Sequence, residues 1–320
     1  MGEVYLNVSL LRQDSSRELA KFCANKANVC LKPYQKLNEE FVRKVVIAPK
    51  YKMLNCIMPK CMSTVTSKIF SYLYDNESYK SFEWQQNGIS SSHHLNDFSS
   101  IKNFLFNKKL GMNELKEWRL SVFIREPLDR IISAFIDKCY LERHYLELGL
   151  LYPGKELCYG CKTNLTCFLE KQYERSHLYD LKKITFTGYE DQHVFPMNWF
   201  CSFGELQHNY TIYKTSSDKS GTLRYRDNIL EILKSQNVSN SEIEYIDKNI
   251  ITRTLHNRTA KQLTMDLKIK KARSSIKNLS KLIGTLKNEV LSNIHLYKLF
   301  ISMYYYDYIL FDYNIPLPID

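Results

Sequence analysis

The 320-residue sequence predicts an α/β fold, with a mostly parallel sheet flanked by helices and with helical and disulfide-tied insertions. Two short apolar runs carry this prediction, because each ends at a proline-containing turn that leads into a helical pattern. They cover Tyr51–Met58 and Trp118–Ile124. A third run, Asn209–Tyr213, alternates in polarity like a strand. Strands separated by helices are expected to pair in parallel, with helices on both faces of the sheet.

A helix is predicted after each of the first two strands. Ser63 or Thr64 can cap the first helix, which runs to about Tyr74. Pro127 suits the first turn of the second helix. One face of that helix has the spacing of a core-facing stripe, at Leu128, Ile131, Ile132 and Phe135. The opposite face is predicted to carry Arg130, Ser133 and Asp137.

The second half of the chain is predicted to be mostly helical. One helix covers about Gly221–Ser235. The next begins with a capping box formed by Ser241 and Glu244. A final amphipathic helix covers about Leu286–Tyr306. These helices supply the apolar faces that a partly parallel sheet needs on its two sides.

The domain organisation follows from composition. Glycine and proline are scarce, and neither a repeat nor a low-complexity segment interrupts the chain. We therefore expect one domain over 46–320, with a Cys-rich insertion at about 140–175 that disulfides hold together. Residues 1–45 are polar and charged, which predicts an irregular arm that can hold a helix over Arg17–Cys23.

Nine cysteines point to an oxidising compartment, in which they would form disulfides. They are Cys23, Cys30, Cys56, Cys61, Cys139, Cys158, Cys161, Cys167 and Cys201. The alternative is a zinc site, because Cys158 and Cys161 have the spacing of a zinc knuckle and Cys167 follows shortly after. No second well-spaced pair completes the four ligands of such a site.

Glycosylation sequons agree with a secretory lumen. Asn-x-Ser/Thr occurs at Asn7, Asn76, Asn164, Asn209, Asn237, Asn257 and Asn278. Met1–Ala20 lacks the apolar core of a signal peptide. The most apolar stretch, Leu296–Phe311, is interrupted by Lys298 and Asp307 and is too short to span a membrane. Either a membrane anchor is missing from this chain, or the cysteines do not indicate a secretory compartment.

The formal charge of +11 favours anionic partners, such as nucleic acid, a sulfated sugar, an acidic membrane or a nucleotide. The alternative is that the excess lysine only keeps the protein soluble. Four lysines look like an ordinary solvated helix face, namely Lys268, Lys270, Lys271 and Lys277. No recognised nucleic-acid-binding module is present, so nucleic acid is not expected as a partner.

The turn after the first strand has the features of an anion site. Free backbone N–H groups at a helix start, together with a lysine and two hydroxyls, can hold a phosphate-like group. The residues concerned are Pro59, Lys60, Ser63 and Thr64. The segment is P-loop-like, yet it lacks Gly-x4-Gly-Lys-Ser/Thr, so triphosphatase or kinase chemistry is disfavoured. The alternative is a plain strand-to-helix turn with a surface lysine.

The turn after the second strand predicts a second anion site. Arg125 at the strand end and Ser133 on the following helix can converge on one phosphate, for which arginine supplies a planar pair of donors. Two such sites at one sheet edge suit a ligand with two separated phosphates. The alternative is a surface ion pair of Arg125 or Arg130 with Asp129. Neither site has the residues of a metal centre, and no metal is expected.

These two segments resemble the phosphosulfate-binding and 3′-phosphate-binding motifs of the Golgi carbohydrate sulfotransferases. The resemblance is to the branch that contains the chondroitin 4-O-sulfotransferases and the HNK-1 sulfotransferase. It runs in order from about residue 50 to 316. Later stretches that agree are Asp191–Pro196, Cys201, Tyr210–Lys214 and Leu296–Tyr313. The Arg125–Phe135 segment is the most specific part of the match.

The resemblance implies transfer of a sulfuryl group from 3′-phosphoadenosine 5′-phosphosulfate to a sugar hydroxyl, with a chondroitin-like acidic glycan as acceptor. It also implies a Golgi location, with membrane attachment only through an anchor absent from this chain. Carried over to this sequence, the 5′-phosphosulfate group would be held by Pro59, Lys60, Ser63 and Thr64. The 3′-phosphate would be held by Arg125 and Ser133.

Three positions depart from the family pattern. The family usually has Gly and Cys where this chain has Met62 and Ser63, and usually Trp where it has Thr66. The bulkier Met62 could change how the backbone approaches the phosphosulfate group. The chain is therefore expected to be a divergent member, with a catalytically inactive protein that binds acidic glycans as the alternative.

Lys60 and His193 are the predicted catalytic residues. Lys60 would stabilise charge on the departing phosphate, and a histidine suits removal of the proton from the sugar hydroxyl. His193 is favoured because its surroundings match a family stretch; His93 and His94 come second. Aromatic side chains could stack on sugar rings or belong to the core, namely Tyr140, Tyr145, Tyr152 and Trp199.

Overall fold

The computed structural model describes most of the chain, and its described residues form two compact units. The described ranges are 22–23, 29–37, 45–81, 96–142, 157–185, 190–216, 218–255 and 279–319. The sheet unit comprises the described parts of Glu39–Arg125 and Phe200–Leu279. The helical unit comprises the described residues up to 37 and those of Glu126–Trp199 and Ser280–Asp320. The prediction of one domain over 46–320 stays a prediction.

Strands lie in the sheet unit, and helices occur in both units. The strands of the described residues are β1 Val45–Ala48, β2 Met53–Cys56, β3 Asp97–Phe98, β4 Arg119–Arg125 and β5 Tyr210–Thr215. The α-helices of the same residues are α1 Ser63–Tyr74, α2 Asn76–Ser81, α3 Ile101–Lys108, α4 Met112–Leu115, α5 Pro127–Phe135, α6 Leu165–Asp180, α7 Asp191–Val194, α8 Phe203–Leu206, α9 Lys219–Ser235, α10 Asn240–Tyr245, α11 Leu279–Ser292 and α12 Ile294–Leu310. The predicted α/β fold is confirmed.

The strands form one sheet in the order β3-β1-β2-β4-β5. β2, β4 and β5 are parallel, with Cys56 opposite Val122 and Arg125 opposite Thr215. β1 is antiparallel to both β2 and β3. The sequence did not predict β1 or β3 as strands. Because β2, β4 and β5 are parallel, their carboxyl ends lie at one edge of the sheet, where open α/β sheets bind ligands.

The core of the sheet unit explains why these segments form strands and helices. All four residues of β2 are buried, as expected for a strand covered on both faces. Sheet residues such as Val46 and Phe123 belong to one apolar cluster with α1 residues such as Ile69 and α9 residues such as Ile229. The predicted first strand is shorter than expected, because Tyr51 belongs to a 3₁₀ turn that precedes β2.

The starts of two helices differ from the prediction. Ser63 is already helical, and Met62 occupies the cap position of α1, so a cap by Ser63 or Thr64 was wrong. The capping box of α10 is formed by Ser239 and Glu242 rather than by Ser241 and Glu244. The Ser-x-x-Glu pattern occurs in both registers. The earlier register wins because it lets the flanking apolar residues Val238 and Ile243 enter the core.

The predicted C-terminal helix is two helices. Asn293 ends α11 and caps α12, because its side-chain oxygen accepts hydrogen bonds from the backbone N–H groups of His295 (3.0 Å) and Leu296 (3.2 Å). Large aromatic side chains of α12 fill the core of the helical unit, among them Tyr297, Phe300, Tyr304 and Tyr308. None of the helices in the described ranges is long and apolar enough to cross a membrane.

The cysteines form disulfides, which confirms that alternative for the Cys-rich insertion. Cys139 pairs with Cys158 and Cys161 with Cys167 in the helical unit, so the zinc alternative for these residues was wrong. Two further disulfides are Cys23–Cys30 and Cys56–Cys201. The ninth cysteine, Cys61, is buried.

Residues 29–37 have neither helix nor strand, yet they are hydrogen-bonded to the rest of the helical unit. The Trp199 indole N–H donates to the Lys32 carbonyl (2.8 Å), and the Leu31 N–H donates to the Ser302 carbonyl (2.9 Å). The predicted helix over Arg17–Cys23 lies mostly outside the described residues. Other positions outside them are Asn7, His93, His94, Tyr145, Tyr152, Asn257, Asn278 and the four lysines from 268 to 277.

Candidate functional site

The loop between β2 and α1 has an unusual backbone. Lys60 (φ 69°) and Met62 (φ 62°) both lie in the left-handed region, which residues other than glycine rarely adopt. The Cys61 N–H donates to the Met58 carbonyl at 3.1 Å and closes a tight turn between them. The loop thus reverses direction within a few residues of the end of β2. Non-glycine residues in this conformation concentrate at functional sites, where the surrounding structure maintains the strain.

The N-terminus of α1 follows this loop. Its cap residue, Met62, makes no side-chain hydrogen bond to the helix, and the first turn contains no acidic residue. Backbone N–H groups in the first turn of a helix have no intrahelical acceptor, and the helix dipole makes this end positive. Ser63 is half-buried and Thr64 is exposed, so both hydroxyls lie at this end. Such a helix start, together with Lys60, is suited to the oxygens of a phosphate or sulfate group.

Arg125 lies at the same edge of the sheet as this loop. It is the last residue of β4 and its side chain is buried. Cys56 pairs with Val122, so Arg125 and Pro59 are each three residues beyond paired positions on neighbouring parallel strands. The structure therefore brings Pro59, Lys60, Ser63 and Thr64 to the sheet edge at which Arg125 ends β4. An arginine there can donate two parallel hydrogen bonds to an anion.

Met62 and Thr66, which depart from the resembled family, both face the interior of the sheet unit. Met62 is 5% exposed and belongs to the apolar cluster around α1. Thr66 is buried, and its hydroxyl is 3.0 Å from the Met62 carbonyl and 2.9 Å from the Tyr225 hydroxyl. Tyr225 was not predicted from the sequence. No local signal could have identified it, because 159 residues separate it from Thr66.

A disulfide lies immediately before the loop. Cys56, the last residue of β2, is bonded to Cys201, with their Cα atoms 5.9 Å apart. The carbonyl of Cys201 also accepts a hydrogen bond from the buried Tyr210 hydroxyl at 3.3 Å. The disulfide therefore fixes the end of β2, where the loop from β2 into α1 begins.

Ser133 belongs to the helical unit and is half-buried on α5. The Glu126 carboxylate caps this helix, accepting hydrogen bonds from the N–H groups of Leu128 (3.1 Å) and Asp129 (2.6 Å). Glu126 is also hydrogen-bonded to the Tyr308 hydroxyl of α12, and burial raises the pKa of Tyr308 well above its ordinary value. The start of the helix that carries Ser133 is thereby held in place.

Arg130 lies on the same helix, where its position corrects the prediction. It was expected on the polar face, but it is only 1% exposed, and its guanidinium donates a 2.8 Å hydrogen bond to the Phe195 carbonyl. A buried guanidinium needs hydrogen-bond acceptors, and this carbonyl supplies one. Asp129, the suggested surface partner of Arg130, forms an ion pair with Lys287. Arg130 therefore fixes the segment that contains Phe195.

His193 lies in that segment, half-buried in the short helix α7, with its backbone N–H bonded to the Glu190 carbonyl at 2.8 Å. Its neighbours are fixed on both sides. Before it, the buried Asp191 carboxylate accepts hydrogen bonds from Arg175 and from the Tyr159 hydroxyl (2.8 Å). The hydrogen bond to Asp191 raises the pKa of Arg175, as expected for a strong ion pair.

The residues after His193 are fixed as firmly. The Val194 carbonyl accepts hydrogen bonds from Gln172 (3.0 Å) and from Tyr304. The Asp307 carboxylate accepts hydrogen bonds from the N–H groups of Met197 (2.7 Å) and Asn198 (2.9 Å). Burial raises the pKa of Asp307, although these backbone N–H groups oppose the shift. His193 is thus held by a rigid segment inside the helical unit.

The aromatic residues suggested for sugar stacking are only partly described. Trp199 is 2% exposed and packs against Phe195 (ring centroids 5.3 Å apart) and Tyr179 (5.8 Å), so it belongs to the core. Tyr140 is half-buried and contacts Phe135 edge-on, with the ring centroids 5.6 Å apart. The core alternative is therefore correct for Trp199.

A model of the sulfotransferase family matches residues 43–314. Among Caenorhabditis elegans proteins, carbohydrate sulfotransferase chst-1 is 35% identical over 228 residues, which is 68% of this chain and 64% of that protein. The uncharacterized protein C18B2.2 is 30% identical over 237 residues, covering 72% of this chain and 61% of that protein.

A third relative, the putative sulfotransferase vep-2 of the same organism, is 29% identical over 219 residues, covering 67% of this chain and 64% of that protein. The matched region spans less than two thirds of the length of each of these relatives. No solved structure gives a significant match. Because the family match covers most of the chain, and includes both β2–α1 and β4–α5, this chain belongs to the sulfotransferase family.

Proposed function

We propose that this protein is a carbohydrate sulfotransferase that transfers a sulfuryl group from 3′-phosphoadenosine 5′-phosphosulfate to a sugar hydroxyl. The observation that carries the proposal is the loop from β2 into α1, with Arg125 ending the neighbouring parallel strand β4 at the same edge. A donor with phosphate-type groups at both ends needs two separated anion sites. The name of the relative chst-1 supports a carbohydrate as acceptor.

The donor is held at its two charged ends. Lys60 and the Ser63 and Thr64 hydroxyls, with the N–H groups that begin α1, bind the 5′-phosphosulfate, and Pro59 shapes the turn. Arg125 and Ser133 bind the 3′-phosphate. This division assigns the strained loop to the reacting end of the donor. The buried Arg125 at the end of a rigid strand then serves the other end, where a fixed cation is sufficient.

Sulfuryl transfer is an in-line displacement in which positioning and charge stabilisation do most of the catalysis. The acceptor oxygen forms a bond to sulfur while the bond from sulfur to the phosphate oxygen breaks, which releases adenosine 3′,5′-bisphosphate. Lys60 stabilises the negative charge that develops on that phosphate. His193 accepts the hydroxyl proton, and its fixed segment suits this task because a general base must be held within hydrogen-bond reach.

Donor binding tests the proposal most directly. The purified protein is expected to bind adenosine 3′,5′-bisphosphate more tightly than ATP in isothermal titration calorimetry. Lys60→Ala and Arg125→Ala should each weaken that binding at least tenfold, because each removes a charged hydrogen bond to the ligand. Lys116→Ala, which removes an exposed lysine of the same unit, is the matched control and should bind normally. Equal affinity for ATP, or normal binding by both variants, would refute the assigned donor.

The acceptor is proposed to be an acidic, chondroitin-like glycosaminoglycan. The net charge of +11 supports an anionic polymer, because a positive surface raises its local concentration. Transfer of radiolabelled sulfate should be measured on desulfated chondroitin, dermatan, heparosan and an HNK-1-type acceptor. Incorporation is expected on chondroitin first. Bisphosphate binding with no incorporation into any of the four would favour the alternative, a catalytically inactive relative that binds acidic glycans.

We place the protein in the lumen of the Golgi, as a glycoprotein. The four disulfides support an oxidising compartment. Three sequon asparagines, Asn164, Asn209 and Asn237, have exposed side chains that can accept a glycan without disturbing the fold. Secreted from animal cells behind a cleavable leader, the chain should lose mass on treatment with peptide N-glycosidase. A chain that reaches the medium unglycosylated would contradict this assignment.

A further inference from the structure

A chain of hydrogen bonds connects α9 to the first peptide of α1. The Thr66 hydroxyl is 3.0 Å from the Met62 carbonyl, which can only accept, so Thr66 donates this bond. The Tyr225 hydroxyl, 2.9 Å from Thr66 Oγ1, then donates to Thr66. Both side chains are buried, at 1% and 0% exposure, so water does not compete for these bonds.

The carbonyl at the end of this chain determines where the first helical N–H points. The Met62 carbonyl and the Ser63 N–H belong to one planar peptide group and point in opposite directions. The carbonyl accepts from both the N–H (3.1 Å) and the hydroxyl (3.0 Å) of Thr66, which holds it along the helix axis. The Ser63 N–H is therefore directed away from the helix, towards the position that the phosphosulfate would occupy.

The conformation of Met62 makes the hydrogen bonds of Thr66 and Tyr225 important for the loop. Its left-handed backbone is unfavourable for a residue with a side chain, and no side chain caps α1. The loop therefore depends on other contacts to keep the peptide oriented. Tyr225 is a rigid support, because its ring packs against Phe123 of β4, with the ring centroids 4.6 Å apart.

We propose that Tyr225 and Thr66 are positioning residues of the phosphosulfate site, which orient the Ser63 N–H without touching the donor. The inference deepens the proposed function and rests on it for the identity of the ligand. The orientation itself is a property of the free protein. Two measurements therefore separate the two ideas, one without ligand and one with it.

The first measurement is hydrogen–deuterium exchange of the unliganded protein. Tyr225→Phe keeps the buried ring and removes only the hydroxyl, so exchange should accelerate in peptides that cover residues 58–69. Tyr51→Phe is the matched control, because it removes a buried hydroxyl of the same unit that is bonded to Glu242 at 2.7 Å. It should leave exchange in 58–69 unchanged. Equal effects of the two variants on this segment would overturn the proposal.

The second measurement is the affinity for adenosine 3′,5′-bisphosphate, together with the KM for the sulfate donor. Tyr225→Phe and Thr66→Val should each raise the dissociation constant for the bisphosphate and the KM for the donor. The expected increase is about threefold to tenfold, the range for one indirect hydrogen bond. Thr66→Ser keeps the hydroxyl and should restore binding. Because the bonds act in series, the double variant Tyr225→Phe/Thr66→Val should bind no more weakly than Thr66→Val alone. Additive losses, or failure of Thr66→Ser to restore binding, would overturn the inference.

The proposed function and this inference can be refuted independently. If the wild-type protein does not bind the bisphosphate, the donor assignment is wrong. The exchange experiment still decides whether Tyr225 orients the start of α1. Melting temperatures of all variants should accompany both measurements, and a fall common to Tyr225→Phe and Tyr51→Phe would reflect only the loss of a buried hydrogen bond.

Discussion

At the residue scale, Met62 combines an unfavourable backbone with a favourable side chain. Its left-handed conformation costs about 1–2 kcal/mol. Burial of a methionine side chain stabilises a protein by about 1.5–3 kcal/mol. Burial is the larger of the two effects, so the core contact of Met62 maintains the strained turn. The burial of its side chain, which is 5% exposed, therefore explains why a residue other than glycine occupies this left-handed position.

Met62→Gly should test this balance. Glycine relieves the strain but leaves a cavity where the side chain was, and the cavity is the larger effect. We expect a net loss of about 2 kcal/mol in the free energy of unfolding, measured in urea. Met112→Ala, at a half-exposed position, should change stability by less than about 0.5 kcal/mol. A stabilised Met62→Gly protein would show that strain, not burial, dominates at this position.

His193→Ala should separate chemistry from donor binding. If His193 removes the acceptor proton, turnover should fall at least about a hundredfold, which is the usual size of a general-base contribution. The dissociation constant for adenosine 3′,5′-bisphosphate should not change, because the bisphosphate lacks the acceptor. His208→Ala, at an exposed position in the sheet unit, is the control. Full turnover by His193→Ala would remove this histidine from the mechanism.

At the element scale, the capping box of α10 makes the stability of the protein depend on pH, because it contains the carboxylate of Glu242. Burial alone would raise the pKa of Glu242, but hydrogen bonds from Ser239 and Tyr51 lower it below its ordinary value of 4.5. A carboxylate with a lowered pKa stabilises the folded state when it is ionised. Its contribution is fully present above pH 4.5 and is lost as the pH falls through the lower pKa of the folded protein.

Glu242→Gln should remove this dependence. The variant should be less stable than the wild type at neutral pH, and the difference should shrink below pH 4.5 as the wild-type carboxylate takes up a proton. Thermal unfolding followed by circular dichroism from about pH 7 to about pH 3 measures it. Glu231→Gln, at an exposed position of α9, is the control and should show no such trend. A difference that stays constant down to the lowest pH would contradict the assignment to Glu242.

The elements that the sequence predicted are those with a local cause. β2 and β4 follow from apolar runs that end at a turn, and the candidate anion site was predicted from the residues directly after β2. β3 has only two residues and exists through pairing with β1, which no local pattern reveals. The cap register of α10 was mispredicted for the same reason, because burial of Val238 and Ile243 decides between two identical local patterns.

At the scale of the whole molecule, the disulfides differ greatly in the length of chain they close. Cys56 and Cys201 are 145 residues apart in sequence, whereas Cys161 and Cys167 are 6 apart. Loop closure predicts that the long link stabilises the fold by about 5 kcal/mol and the short one by about 2 kcal/mol. The long link also fixes the end of β2, so its loss should affect the loop from β2 into α1.

The serine double variants test that difference. Cys56→Ser/Cys201→Ser should be the less stable protein in chemical denaturation and should bind adenosine 3′,5′-bisphosphate more weakly. Cys161→Ser/Cys167→Ser should lose less stability and keep its affinity. Equal stability losses would contradict the difference expected from loop closure. Normal binding by the first variant would show that this disulfide does not support the loop.

The interleaving of the two units has a consequence for biosynthesis. A ribosome delivers the chain from its N-terminus, and domains tend to fold as their residues emerge. Among the described residues, every strand of the sheet unit has emerged once Thr215 is outside the exit tunnel. The helical unit must wait longer, because Leu31 bonds to Ser302 of α12. Leu31 therefore remains without this partner until α12 has emerged, and during that time a chaperone has access to it.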